Sequence, residues 1–187
     1  MYGEGMIAHE DQVLVVPGLY NSGPGHWQTR WENEFGFARV EQKDWDAPRC
    51  EDWVRTLDQT VAAQRLPVVL VAHSLGCITI AHWATNAEAA VAKKVKGALL
   101  VAPSDVQRPE FPLGAVGFSP ISLSALPFRS IVVASTNDPY ISLTRAKGLA
   151  SAWHADFENI GAGGHITTVD GFGPWPQGIQ LLDRLRS

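Results

Sequence analysis

Five consecutive apolar residues, Val68-Val-Leu-Val-Ala72, run without a break into His73-Ser74-Leu75-Gly76. No polar residue alternates with the apolar ones, so the segment does not read as a strand with one wet face. It reads as a strand covered on both faces, which is how strands of a parallel sheet look. The residues after it, 75–92, read as a helix, so a serine stands at a tight turn between strand and helix. A strand that must be covered on both sides needs helices in front of the sheet and behind it.

The rest of the chain repeats this rhythm. Further strands are expected at 13–16, 38–41, 98–102, 130–135 and 157–160, and the first, third and fourth of these are again apolar almost throughout. Helices are expected at 49–64, 141–152 and 179–186. In 49–64, Trp53, Leu57 and Val61 recur every four residues with Val54 beside them, which gives one apolar stripe. Pro67 ends that helix and opens the next strand. Trp27, Trp31, Trp53 and Trp83 fall on helical segments and read as packing residues. Strands alternating with helices imply a three-layer α/β core, with a mostly parallel sheet of about six strands and helices on both faces. At 187 residues, the chain 1–187 is expected to form one domain. Residues 103–129, with five prolines and two glycines, break the rhythm. They are too short for a cap domain and read as a Pro-rich irregular flap near the site. Under such a flap the site is expected to be an open, shallow pocket.

Composition narrows the function classes. With 45% hydrophobic and 18% charged residues the chain is not a disordered one. A net charge of -4 and no dense Lys/Arg cluster argue against nucleic acid as a partner. No apolar run approaches the roughly 20 residues of a membrane span, and Met1 to Gln12 does not read as a secretory signal. Two cysteines give no disulfide framework, so a cytoplasmic setting is expected. No His, Cys, Asp and Glu set has metal-ligand spacing. In the loop after the first strand, Pro24-Gly25 stands where a phosphate-binding loop needs Lys and Ser/Thr. No metal or other cofactor is therefore expected. Oligomeric state is not readable.

A serine at a strand–turn–helix junction is the arrangement of a nucleophile elbow. The sharp turn lifts Oγ clear of the sheet, and the helix N-terminus behind it offers unpaired N–H groups to a developing oxyanion. Gly76 permits the close approach; Ala72 stands where the pattern more often has Gly. Such a serine needs a base, and the base needs an orienting acid. Asp138 follows strand 130–135, and His165 follows strand 157–160 within Gly161-Ala-Gly-Gly-His165. The chain order Ser74, Asp138, His165 is that of an α/β-hydrolase triad. Backbone N–H groups of Leu75 and of Leu19 or Tyr20 are the expected oxyanion donors. His26, Phe111 and Phe118 are the expected substrate-lining residues.

The sequence resembles the small α/β-hydrolase family of serine hydrolases that includes retinoblastoma-binding protein 9 and many short bacterial proteins. The resemblance rests on five features: Pro17-Gly18 leading into Gly25-His26-Trp27 with Trp31; Ala72-His-Ser-Leu-Gly76; Ser135-Thr-Asn-Asp-Pro-Tyr140; Gly163-Gly-His165; and the Pro-rich stretch 118–128. It implies the triad Ser74, Asp138, His165 and a hydrolase activity whose natural substrate is generally undefined; the triad chemistry read from the residues themselves is that of a serine hydrolase acting on a small-molecule ester, thioester or amide. A retinoblastoma-type ligand, Leu-x-Cys-x-Glu, does not carry over, because Leu75-Gly-Cys77-Ile-Thr79 has Thr79 where Glu is required.

Blander readings stand beside these. A serine between Ala and Gly also marks a simple tight helix start. Asp138-Pro139 is also a helix opening, with Asp138 as its N-cap. Asp105, just past the strand at 98–102, is the rival acid, and Asp170 reads as a loop-fixing residue. His73 is expected to point inward and fix the elbow, and Cys77 is expected to be a buried apolar filler rather than a thiol nucleophile. A hydrolase fold kept as a non-catalytic interaction module is the second reading of function.

Overall fold

A computed structural model describes residues 10–187. Most of the segment weighed as a signal, residues 1–9, lies outside the described residues. Six parallel strands form one sheet in the order β2-β1-β3-β4-β5-β6. They are β1 (Gln12–Val16), β2 (Ala38–Arg39), β3 (Val68–His73), β4 (Val95–Val101), β5 (Arg129–Ala134) and β6 (Asp156–Asn159). The helices are α1 (Trp27–Phe35), α2 (Cys50–Ala62), α3 (Leu75–Asn86), α4 (Ala89–Ala92), α5 (Leu143–Ala152) and α6 (Pro176–Arg186).

The alternation of Cβ atoms across the sheet explains the unbroken apolar strands. Val68, Leu70 and Ala72 face a core shared with Trp53, Leu57 and Val61 of α2, with Ile78 of α3 and with Leu149 of α5. Val69 and Val71 face the opposite core, shared with Trp27 and Trp31 of α1 and with Leu182 and Leu185 of α6. The three-layer arrangement is thus present, and no cap domain interrupts it among the described residues.

Two helices differ from the sequence reading. The helix expected over 75–92 breaks, because Ala87 takes extended backbone with ψ 139° and the short α4 follows. The 12 residues of α3 rise about 18 Å, close to the roughly 20 Å of the 6-residue β3. The chain must therefore reverse there to enter β4 beside β3. The helix expected near Pro139 starts at Leu143, with the Ser142 hydroxyl accepting from the Arg145 N–H. Asp138 is not its cap.

The flap, residues 103–129, carries no helix and no sheet strand before β5 begins at Arg129, but it is anchored from within. Val106, Phe118, Ile121 and Leu126 are buried, the Cys50 N–H donates to the Val116 carbonyl, and His82 Nε2 donates to the Phe118 carbonyl at 2.9 Å.

Candidate active site

The turn after β3 forces Ser74 to φ 56°, ψ −120°, where an L-residue is strained. The strain is held by close neighbours. A Cβ on Gly76 would stand 2.3 Å from the Val16 carbonyl oxygen, and one on Gly18 would stand 2.8 Å from Ser74 Cβ. Only glycine fits either place, so the loop after β1 lies directly against the elbow.

Three side chains from three strand ends converge here. His165 Nε2 lies 2.9 Å from Ser74 Oγ. His165 Nδ1 lies 2.9 Å and 3.1 Å from the two Asp138 carboxylate oxygens. Asp138 has no exposed side-chain surface, and it also accepts the Tyr140 N–H at 2.8 Å, an Asx turn that fixes the carboxylate. The rival acid, Asp105, faces elsewhere. It accepts the Gln107 N–H and lies 3.7 Å from Arg145.

The loop that carries His165 is tied down at its backbone. His73 Nε2 donates to the His165 carbonyl at 2.8 Å, and Trp27 Nε1 donates to the Ile166 carbonyl at 3.0 Å. The Ser135 hydroxyl donates to the Gly164 carbonyl, and Asn137 Oδ1 accepts the Gly164 N–H. Asp170 accepts the N–H groups of His165 and Thr167 and the Thr167 hydroxyl. A Cβ on Gly164, at φ +54°, would fall on the Asp170 carboxylate. The glycine therefore makes room for the residue that fixes the loop.

On the oxyanion side, Leu75 is the first residue of α3, and neither its N–H nor that of Leu19 donates to an acceptor among the described residues. Tyr20 differs. Its N–H donates to the Trp45 carbonyl at 2.8 Å, which removes it as an oxyanion donor and leaves Leu19. From α1, Gln28 donates through Nε2 to the Val71 carbonyl and accepts from the Ser22 hydroxyl, so α1 holds the start of this loop against β3.

The cleft around Ser74 has a volume of about 370 Å³. His26 and Phe111 line it. Phe118 does not. It is 1% exposed and packs edge-on against Trp53, because the flap folds it inward between α2 and α3. The flap presents Arg108, Phe111 and Pro112 instead, and so gives the pocket a wall. A larger groove of about 580 Å³, lined by Asp58 and His82 among others, contains none of the three converging side chains. Burial holds the His26 imidazole neutral, pushing its pKa down to about 4, with Arg39 and His165 adding to the effect. Burial likewise drives His73 well below its ordinary value. Burial pushes the Cys77 thiol well above its own value, and its Sγ faces the Val101 carbonyl. Such a thiol is a poor nucleophile.

The sequence reading missed Ser104, whose Oγ lies 2.6 Å from Ser74 Oγ. What places it is the register of the sheet rather than any local motif. β4 pairs with β3 so that Val101 stands opposite His73, and the residues just past Val101 must flank Ser74.

An elbow serine, a histidine and a carboxylate hydrogen-bonded in line on this sheet define a serine hydrolase of the α/β-hydrolase class. Residues 13–184 match the model of the Serine hydrolase family, and the chain belongs to that family. YdeN of Bacillus subtilis (strain 168) is 29% identical over 177 residues, 88% of this chain and 90% of that protein. A YdeN-like protein from Pectobacterium atrosepticum SCRI1043 has a crystal structure that superposes with a TM-score of 0.83 at 31% identity, covering 95% of this chain and 91% of the other. The monoacylglycerol lipase of Paleococcus ferrophilus shares the fold alone, with a TM-score of 0.66 at 13% identity over 94% of this chain and 93% of its own. No described helix is long and apolar enough to cross a membrane.

Proposed function

We propose that the protein hydrolyses a small carboxylic ester, thioester or amide through an acyl-enzyme on Ser74. The observation that carries this reading is the unbroken line from the Asp138 carboxylate through His165 to Ser74 Oγ. Asp138 accepts a hydrogen bond from the His165 Nδ1–H, which keeps the proton on Nδ1 and leaves Nε2 as the acceptor facing the serine. Ser74 Oγ attacks the substrate carbonyl carbon and its proton passes to His165 Nε2. The N–H groups of Leu75 and Leu19 hold the oxygen that becomes negative; losing one such donor costs about 3–4 kcal/mol. The tetrahedral adduct collapses, and His165 gives the proton to the leaving oxygen, sulfur or nitrogen. Water, deprotonated by His165, then attacks the acyl carbon, and His165 returns that proton to Ser74 Oγ as the acid is released. No step needs a cofactor. Two free cysteines support a cytoplasmic setting for this chemistry.

Labelling with a fluorophosphonate probe tests the reading. The wild type labels and Ser74→Ala does not; equal labelling of the two sinks it. A panel of para-nitrophenyl esters and aminoacyl amides then ranks acyl size and leaving group.

A further inference from the structure

Four arginines among the described residues are partly buried: Arg39, Arg108, Arg145 and Arg186. Three are neutralised, Arg39 by Glu32, Arg145 by Asp105 and Arg186 by Asp11. Arg108 has no carboxylate partner among the described residues, and its buried Nε has no acceptor. It is also the one arginine in the wall of the Ser74 cleft. A half-buried cation loses hydration without compensation unless an anion meets it.

Its position is built, not incidental. The Arg108 N–H donates to the Asp105 carbonyl, and the Arg108 carbonyl accepts from the Phe111 N–H. These successive turns bring Arg108 and Phe111 to the same wall of the cleft. The guanidinium carbon stands 4.8 Å from the centroid of the Tyr140 ring, a cation–π contact that fixes the fork. Tyr140 in turn meets the His165 imidazole edge-on at 4.6 Å. Arg108 is therefore two ring contacts from the base. The two carboxylates of the site do not compete for it, because Asp138 is engaged by His165 and Asp170 by His165 and Thr167.

We propose that Arg108 is a specificity residue that pairs with a carboxylate on the substrate, so that the site selects esters or amides bearing a free carboxylate near the scissile bond. A planar guanidinium binds a carboxylate through two parallel hydrogen bonds. The proposal rests on the hydrolase reading for its site and for the comparison of rates, whereas binding to Ser74→Ala needs no turnover.

Two matched pairs locate the charge. The para-nitrophenyl monoester of adipic acid is compared with its terminal-amide analogue, which varies the acyl side. The hexanoate of meta-hydroxybenzoic acid is compared with that of meta-hydroxybenzamide, which varies the leaving group. The wild type is expected to favour the carboxylate member of one pair by about tenfold in kcat/KM, as a charged hydrogen bond would give. Arg108→Gln should bring that ratio near one, Arg108→Lys should keep part of it, and added salt should shrink it. Equal handling of both members in both pairs, or an equal loss on carboxylate and amide in Arg108→Gln, overturns the proposal. Should no ester be turned over, the hydrolase reading fails, and calorimetric titration of Ser74→Ala with the adipate monoester still decides the question. Binding that weakens about tenfold in Ser74→Ala/Arg108→Gln supports the arginine; absent or unchanged binding overturns it.

Discussion

The hydroxyl of Ser104, on the loop after β4, lies 2.6 Å from Ser74 Oγ. Ser74 has one proton to give, and His165 Nε2 takes it at 2.9 Å. Ser104 is then the donor and Ser74 Oγ the acceptor, which holds the nucleophile in the rotamer that faces the base. Ser104→Ala should lower kcat by about tenfold with KM little changed, the effect of one lost hydrogen bond in the reacting geometry. Steady-state kinetics on a para-nitrophenyl ester checks this, and an unchanged kcat contradicts it.

Asp138 fixes which imidazole nitrogen carries the proton. Asp138→Asn presents an amide donor to Nδ1, turns the tautomer around and leaves Nε2 protonated against the serine. The loss in kcat should be on the order of 10⁴, with the far-ultraviolet circular dichroism of the wild type. Asp105→Asn should lose far less, since that carboxylate faces Arg145; a larger loss there would move the acid to the rival position.

Gly76 is a packing requirement more than a conformational one. An added Cβ would press on the Val16 carbonyl at 2.3 Å and the Pro17 carbonyl at 2.8 Å, and backbone atoms have little room to yield. Gly76→Ala should destabilise the fold by about 1–3 kcal/mol or more, read as a lower urea midpoint. A wild-type midpoint would mean that β1 and α3 sit further apart than described.

Two buried neutral histidines make stability depend on pH. In the unfolded chain His26 takes a proton near its ordinary value of 6.5, whereas in the folded chain it does so only near 4. Between those values the unfolded state binds the extra proton, so stability is present above about 6.5 and falls as pH drops toward 4. The full effect approaches about 3 kcal/mol. His73 acts in the same direction. His26 also accepts the Gln28 N–H as the N-cap of α1, and asparagine keeps that role. His26→Asn should therefore flatten the acid slope of the urea midpoint without removing the cap. A slope identical to wild type would place the effect elsewhere.

How far the sequence discloses the protein differs by element. The doubly covered strands are legible in Val68–Ala72 and its counterparts because both faces of each strand are apolar, and the triad is legible because each member follows a strand in the chain order serine, acid, histidine. Helix ends are less so. Ala87 carries no breaking signal, and the break comes from the length of the sheet it must cross. The phenylalanines of the flap are chemically alike, yet Phe111 faces the cleft and Phe118 the core; only the packed chain assigns them. Tyr20 and Leu19 are neighbours with equal claims on an oxyanion until the carbonyl of Trp45, 25 positions on from Tyr20, takes one N–H. Ser104 and Arg108 matter through the register of β4 on β3 and the turns that follow, which no local pattern encodes.

The bond from Trp27 Nε1 to the Ile166 carbonyl joins positions 139 apart in sequence, and Trp31 reaches the Pro174 carbonyl in the same way. The first helix thus seats the loop that bears the base, and that loop is made late in synthesis. A nascent chain still hidden beyond α5 would own the serine and the acid yet have no catalyst. Such long-range closure is slow relative to local folding, so recovered hydrolysis after dilution from denaturant would report the end of folding rather than its onset, and fragments that divide α1 from residue 166 should be silent until recombined.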